Sequence, residues 1–90
     1  MRYEYDPEKS LANKVKHGID FAETQALWLD KLAITVNARS DTEPRFLVIG
    51  RICEDFWTAV ITYRGEAVRI ISCRRSHKNE VAHYGKVNQC

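Results

Sequence analysis

The sequence predicts one α+β domain spanning residues 1–90, its elements in the order β-α-α-β-β-β-β-α around an antiparallel sheet. Three observations predict this. The N-terminal third carries two helix-start signals, the middle carries β-branched runs separated by short turns, and a last cap-to-glycine segment closes the chain. Ninety residues, 44% of them hydrophobic and 29% charged, suffice for one modest core and not for two.

Arg2–Tyr5 reads as a short strand with Tyr3 and Tyr5 on one face. Asp6-Pro7 then starts a helix, because Asp6 can accept from free N–H groups and Pro7 lacks the donor that the first helical position leaves unused. Leu11, Ala12 and Val15 form its expected apolar stripe, Asn13, Lys16 and His17 share another face, and Gly18 ends it. Asp20 opens a second helix with Glu23 completing a capping box; Ala22, Ala26 and Leu29 make its row, and Asp30-Lys31 breaks it. The strand runs follow: Leu32–Asn37, then Arg45–Ile52, Phe56–Tyr63 and Ala67–Cys73. Their short connections predict an antiparallel meander. Apolar residues fall at both parities, so both faces of the sheet are expected to be partly covered. Ser76 caps a final helix that runs to about Tyr84 and stops at Gly85.

Composition excludes several classes. No run of about 18 apolar residues is present, so no membrane span is expected. The first residues lack an apolar stretch of signal-peptide length, which predicts a cytoplasmic chain. Cys53, Cys73 and Cys90 are far apart and odd in number, which predicts reduced thiols. His77 and His83 are six apart rather than four, and no carboxylate cluster stands out, so neither metal nor other cofactor is expected. No Gly-rich phosphate loop and no nucleophile elbow occur. The overall charge is only +2, but from Arg64 to Lys86 six basic residues face two acidic ones. That concentration suits a polyanion.

The remaining chemistry lies in basic and polar residues near the ends of elements. Arg64, Arg74 and Arg75 end strands, Arg69 lies within the last one, Glu80 and Tyr84 share a helical face, and Lys16 and His17 end the first helix. RNA cleavage without metal needs a base for the 2′-hydroxyl, cations at the phosphate and an acid for the leaving 5′-oxygen. These residue types supply such parts. Each also has an ordinary structural use. His17 can complement a helix dipole, Arg74-Arg75 can be a solvated strand end, Glu80 can pair on the helix surface, and Tyr84, Trp28 and Trp57 can belong to the core.

The stretch Tyr5-Asp6-Pro7-Glu8-Lys9, Asn13, Lys16-His17-Gly18 and Phe21 resembles the opening of BrnT-type toxins. Ile49-Gly50-Arg51 resembles their middle, and Tyr63-Arg64-Gly65-Glu66, Arg69-Ile70-Ile71-Ser72, Arg74, Glu80 and Tyr84 resemble their C-terminal signature. The resemblance implies a RelE-like fold and a metal-independent endoribonuclease that inhibits translation and growth. It also implies a BrnA-type antitoxin, with operator DNA bound only through the toxin–antitoxin complex. Within it, His17, Arg64, Arg74, Glu80 and Tyr84 become the catalytic candidates, with Arg64 and Arg74 on the scissile phosphate. Lys16, Arg51, Arg69, Arg75 and Lys78 become the RNA-binding candidates. The chain departs from the pattern in three ways: Lys31 stands where proline is frequent, Cys73 stands where alanine is usual, and the last helix is poorer in arginine. The competing expectation is a non-catalytic nucleic-acid- or protein-binding module. It predicts binding that weakens a little with each lost cation and falls steeply with salt. An apolar patch left by the thin helical cover is the expected antitoxin surface.

Overall fold

Residues 2–89 are described by the computed structural model. They form β1 (Arg2–Glu4), α1 (Pro7–His17), α2 (Phe21–Thr24), a 3-10 turn over Gln25–Leu29, β2 (Ile34–Ala38), β3 (Arg45–Ile52), β4 (Asp55–Arg64), β5 (Ala67–Arg75) and α3 (Lys78–Val87). The local signals act where expected. Asp6 accepts from the Glu8 amide at 2.9 Å, and Pro7 occupies the first turn of α1. Gly18 takes the left-handed conformation (φ 81°) and donates to Lys14 O. Asp20 and Glu23 exchange both capping-box bonds. The second helix nevertheless tightens to 3-10 after Thr24 instead of running on as α.

The five strands lie in the order β1-β5-β4-β3-β2. β2 to β5 are the antiparallel meander, but β1 joins β5 in parallel, Arg2 beside Ala67 and Glu4 beside Arg69. The sheet is therefore mixed, which corrects the antiparallel expectation. Turn chemistry fixes the direction of strands joined by short loops; it does not constrain a strand arriving from the other end of the chain. A bulge between β4 and β5 pairs Val60 with Ser72 and Ile61 with Ile70, leaving Ile71 extra. This residue reverses the alternation of β5. Ile70 and Cys73 consequently face the same core, and Arg69 and Arg74 share the opposite face. It also accounts for apolar residues at both parities within β5.

One face of the sheet carries α1, α2 and the 3-10 turn. Ile19, Phe21 and Leu27 pack there on Val48, Ala59, Ile61, Val68, Ile70 and Cys73. Trp28 and Trp57 pack against this cluster, as expected. The other face carries α3 at one end. Two helix stripes read from sequence do not point inward. Leu11 is 70% and Val15 89% exposed, while Ser10 and Asn13 are the buried residues of α1. Likewise Ala22 and Leu29 are exposed, and Phe21, Thr24 and Leu27 are buried. Backbone groups of the neighbouring segment need partners at the α1 interface, and small polar side chains supply them. Ser10 Oγ accepts from the Phe21 amide at 2.9 Å. Asn13 donates to Ile19 O at 2.8 Å and to Cys73 O at 2.9 Å, and accepts from the Cys73 amide at 3.3 Å. Its carboxamide thus continues the edge of β5 beyond the point where β1 stops.

Cys53 occupies the β3–β4 turn with φ 57° and is exposed. Cys73 is buried, and that burial pushes its thiol up to about 11, which keeps it protonated and unreactive. Cys90 lies outside the described residues.

Candidate functional site

The inner face of α3 builds two linked polar centres. His77 rather than Ser76 is the N-cap of α3, and the helix continues through Gly85 to Val87. Ser76 instead extends the sheet, its amide donating to Phe56 O and its hydroxyl sharing a 2.7 Å bond with Thr58. Glu80 lies three residues into the helix and is 7% exposed. Its Oε1 accepts from Arg74 Nη1 (2.7 Å), the His77 amide (2.7 Å) and Thr58 Oγ1 (3.0 Å), and its Oε2 accepts from Arg74 Nη2 (2.9 Å). The two-pronged Arg74 bond, reinforced by the His77 amide and the Thr58 hydroxyl, overcomes burial and holds the Glu80 carboxyl at about 2. Glu80 therefore stays ionised and acts as an anchor for Arg74, not as a proton donor. Arg74 spends three of a guanidinium's five N–H groups on Glu80 and on Arg75 O, and keeps the rest. The His77 imidazole projects beside this clamp, 65% exposed, with Nδ1 4.0 Å from Glu80 Oε1.

One helical turn further on, Tyr84 donates to Asp30 Oδ2 at 2.9 Å. The same oxygen accepts from the Arg51 amide, and Oδ1 accepts from the Leu32 amide, both at 2.9 Å. Burial would raise the Asp30 carboxyl, but these three bonds outweigh it and set it below its ordinary value. Burial, and then the Asp30 bond, raise the Tyr84 phenol. Tyr84 is thus a fixed neutral donor. Gly50 makes this approach possible: a Cβ there would lie 3.1–3.2 Å from Ala33 Cβ, Asp30 Oδ2 and Leu27 Cδ2. Asp30, Tyr84 and Arg51 line a cleft of about 500 Å³. The Arg51 guanidinium stacks 5.5 Å from the centre of the Phe56 ring, which meets Tyr84 edge-on at 5.1 Å.

The cations separate by face and by end. Arg64, Arg69 and Arg74 are in register with residues of the α3 face. Arg64 pairs across from Ala67, whereas Arg74 pairs across from Thr58. At about 3.3 Å per residue these positions stand roughly 20 Å apart. Both guanidiniums therefore do not meet on one phosphate, which corrects that expectation. Arg64 and Arg69 instead flank Glu4, at 3.9 and 3.4 Å, and Arg64 reaches Glu43 at 4.0 Å. Arg75 turns to the α1–α2 face, over Trp57 at 5.3 Å and bonded to Asp55 at 3.1 Å. Lys78 is exposed in the first turn of α3, and Lys16 is exposed near the end of α1. Asn13 ties the last part of α1 to the Arg74 end of β5, but in the α1–α2 layer. His17, half-buried there, makes no hydrogen bond or ion pair with an arginine or with Glu80 among the described residues.

Sequence reasoning missed Asp30 as more than a helix breaker, Asn13 as an inward residue and Thr58 as a ligand of Glu80. Only Asp30 left a readable signal: an acidic residue able to accept from the amide two positions on is a turn former. His77 was visible as an imidazole next to Glu80's helix, but its proximity to the clamp needed the cap geometry.

Among the described residues, no helix is long and apolar enough to cross a membrane. Comparison with curated proteins gave no match. A protein-family model described as "Ribonuclease toxin, BrnT, of type II toxin-antitoxin system" matches residues 5–80.

Proposed function

The chain belongs to the BrnT family of ribonuclease toxins of type II toxin–antitoxin systems, and from that premise we propose that it cuts RNA on the α3 face of its sheet by metal-independent transesterification. The observation that carries this reading is the bulge at Ile71, which turns Arg69 and Arg74 to one face together with Arg64. A strand of RNA lying along that face meets cations at both ends, and their separation assigns them to different phosphates. Arg64 and Arg69 hold the strand; Arg74, oriented by Glu80, presents its unused N–H groups to the scissile phosphate.

The reaction needs no redox partner. A base takes the 2′-hydroxyl proton, the 2′-oxygen bonds to phosphorus, the bond to the 5′-oxygen breaks, and that oxygen receives a proton. A cyclic phosphate and a 5′-hydroxyl remain. We assign proton transfer to His77, the exposed imidazole beside Arg74 and Glu80. His17, at the end of α1 on the other face of the sheet, is the alternative donor or acceptor for a strand that passes round the end of the sheet. Lys78, exposed in the first turn of α3, extends the basic rim, whereas Lys16 and Arg75 stand on the α1–α2 face and Arg51 stacks on Phe56 beside the Tyr84 cleft. Tyr84 holds α3 to Asp30 and positions the clamp. Cleavage of messenger RNA in the cytoplasm would stop translation and growth, and a BrnA-type antitoxin would silence the chain and carry the complex to operator DNA.

The test is incubation of the purified, antitoxin-free chain with RNA in EDTA. Cleavage with cyclic-phosphate ends is expected; intact RNA would overturn the reading and leave a binding module. Substitution separates the two imidazoles: His77→Ala should lower kcat by about 100-fold or more with RNA binding retained, as loss of a general acid–base group does. The same loss in His17→Ala, with His77→Ala active, moves the proton transfer to the α1 side. Arg64→Ala should weaken binding and flatten its salt dependence.

A further inference from the structure

We propose that the Leu29 ridge and the two clefts beside it form the surface on which the antitoxin docks, seating one apolar side chain in each cleft and a basic side chain against Asp30. The proposal rests on the reading above that a protein antitoxin partners this chain. Its basis is the 3-10 turn. In that winding, side chains three apart eclipse, so Ala26 lines up with Leu29 and Gln25 with Trp28. Ala26 and Leu29 thereby become a wall common to two clefts. One, of about 500 Å³, is lined by Leu32, Ile52, Cys53, Asp30, Arg51 and Tyr84; the other, of about 510 Å³, by Tyr3, Gln25 and Trp28. Leu29 is 83% exposed, and Leu32 (53%) and Val87 (55%) border the same region. Asn88 bonds to Leu32 O at 3.0 Å, which holds the end of α3 beside Leu32. An exposed leucine between two clefts is the form of surface that accepts the side chains of a protein partner.

Charge identifies the occupant as protein and not RNA. Among the described residues the second cleft has no charged lining. In the first, the charged lining residues among those described are Arg51, which stacks on Phe56, and Asp30. The two charges offset each other, so a phosphate gains no net attraction there, whereas a basic side chain can pair with Asp30. Asp30 Oδ1 accepts a single bond, from the Leu32 amide, and has room for a second donor. An amphipathic segment with two neighbouring apolar anchors and an adjacent lysine or arginine meets all three features. The exposed Leu11–Val15 stripe of α1, by contrast, borders neither cleft. Docking at Leu29 also bears on activity. Tyr84 forms part of the first cleft, and Glu80, one turn earlier, holds the RNA-facing Arg74.

The experiment titrates the full chain with the purified antitoxin and follows both binding and RNA cleavage in EDTA. In the double variant Leu29→Glu with Leu32→Glu, RNA cleavage should stay at the wild-type rate, antitoxin affinity should fall about 100-fold or more, and silencing should fail. Leu11→Glu with Val15→Glu should bind as wild type does. Both pairs are exposed, and circular dichroism checks that each variant folds. Wild-type affinity in the Leu29 pair, or loss confined to the α1 pair, overturns the proposal. A chain that binds the antitoxin through Leu29 but cuts no RNA sinks the ribonuclease reading alone. One that cuts RNA but binds no antitoxin sinks the docking surface alone.

Discussion

α1 and α3 are helices of similar length on opposite faces of one sheet, and neither docks through an apolar stripe. α1 turns Ser10 and Asn13 inward; α3 turns Glu80 and Tyr84 inward. Their partners differ. Ser10 and Asn13 bond to backbone groups of Phe21, Ile19 and Cys73, all neutral. Glu80 and Tyr84 bond to Arg74, Thr58 and Asp30, with a charge in each set. Neutral bonds to backbone tie two segments together whatever the pH. Charged bonds between side chains hold a guanidinium and a carboxylate in fixed positions, at the cost of sensitivity to acid. The first arrangement is scaffold; the second is the one on which the proposed reaction draws.

Breaking the charged side should show the largest effect. Glu80→Gln leaves the Arg74 guanidinium without its counter-charge and should cost about 3 kcal/mol at neutral pH, read by urea unfolding. The carboxyl is held at about 2, below its ordinary value of 4.5. Its stabilisation is thus complete above the unfolded value and is lost as pH falls from there towards about 2. Wild type should weaken steeply across that window, and the variant should not share this component. Equal pH profiles for the two proteins would remove the distinction between the faces.

Asn13→Ala is the matching cut on the neutral side. It strands the amide and carbonyl of Cys73 and the carbonyl of Ile19, and should cost about 2–3 kcal/mol, with no pH dependence of its own between 3 and 8. Asn13→Asp should not rescue it, because a carboxylate cannot donate to those carbonyls. Tyr84→Phe keeps the ring against Phe56 and removes one bond to Asp30; about 1–2 kcal/mol is expected, with the Asp30 carboxyl moving upward in an NMR titration. The smallest effect belongs to the outward face of α1. Val15→Gln, at a position 89% exposed, should change stability by no more than about 0.5 kcal/mol. A loss above that would mean that the stripe is covered in the folded chain.

The two helices also show how far the sequence could be read. The caps at Asp6, Asp20 and Gly18 were legible because each acts within four residues. β3 was legible at both ends, from its apolar run between turn signals. The inward face of α1 was misread for a physical reason. Hydrophobic periodicity assumes that burial is apolar, but here the interface had unmet backbone groups, and Asn13 satisfies them. The family signature pointed to Arg74, Glu80 and Tyr84 without indicating that Glu80 is bound by four donors or that Tyr84 ends on Asp30. Those partners lie 22 and 54 residues away from them for Thr58 and Asp30 respectively, and no local pattern encodes such pairs.

By itself, then, the sequence determined the order of the elements, the meander and the starts of the helices, because cap, turn and strand preferences are short-range. Tertiary structure alone decided that β1 runs parallel to β5, that Ile71 bulges so that Arg69 and Arg74 share a face, and that Arg64 stands at the other end of the sheet. Each of these depends on which distant backbone a strand pairs with, and one residue of register reverses every side chain on it.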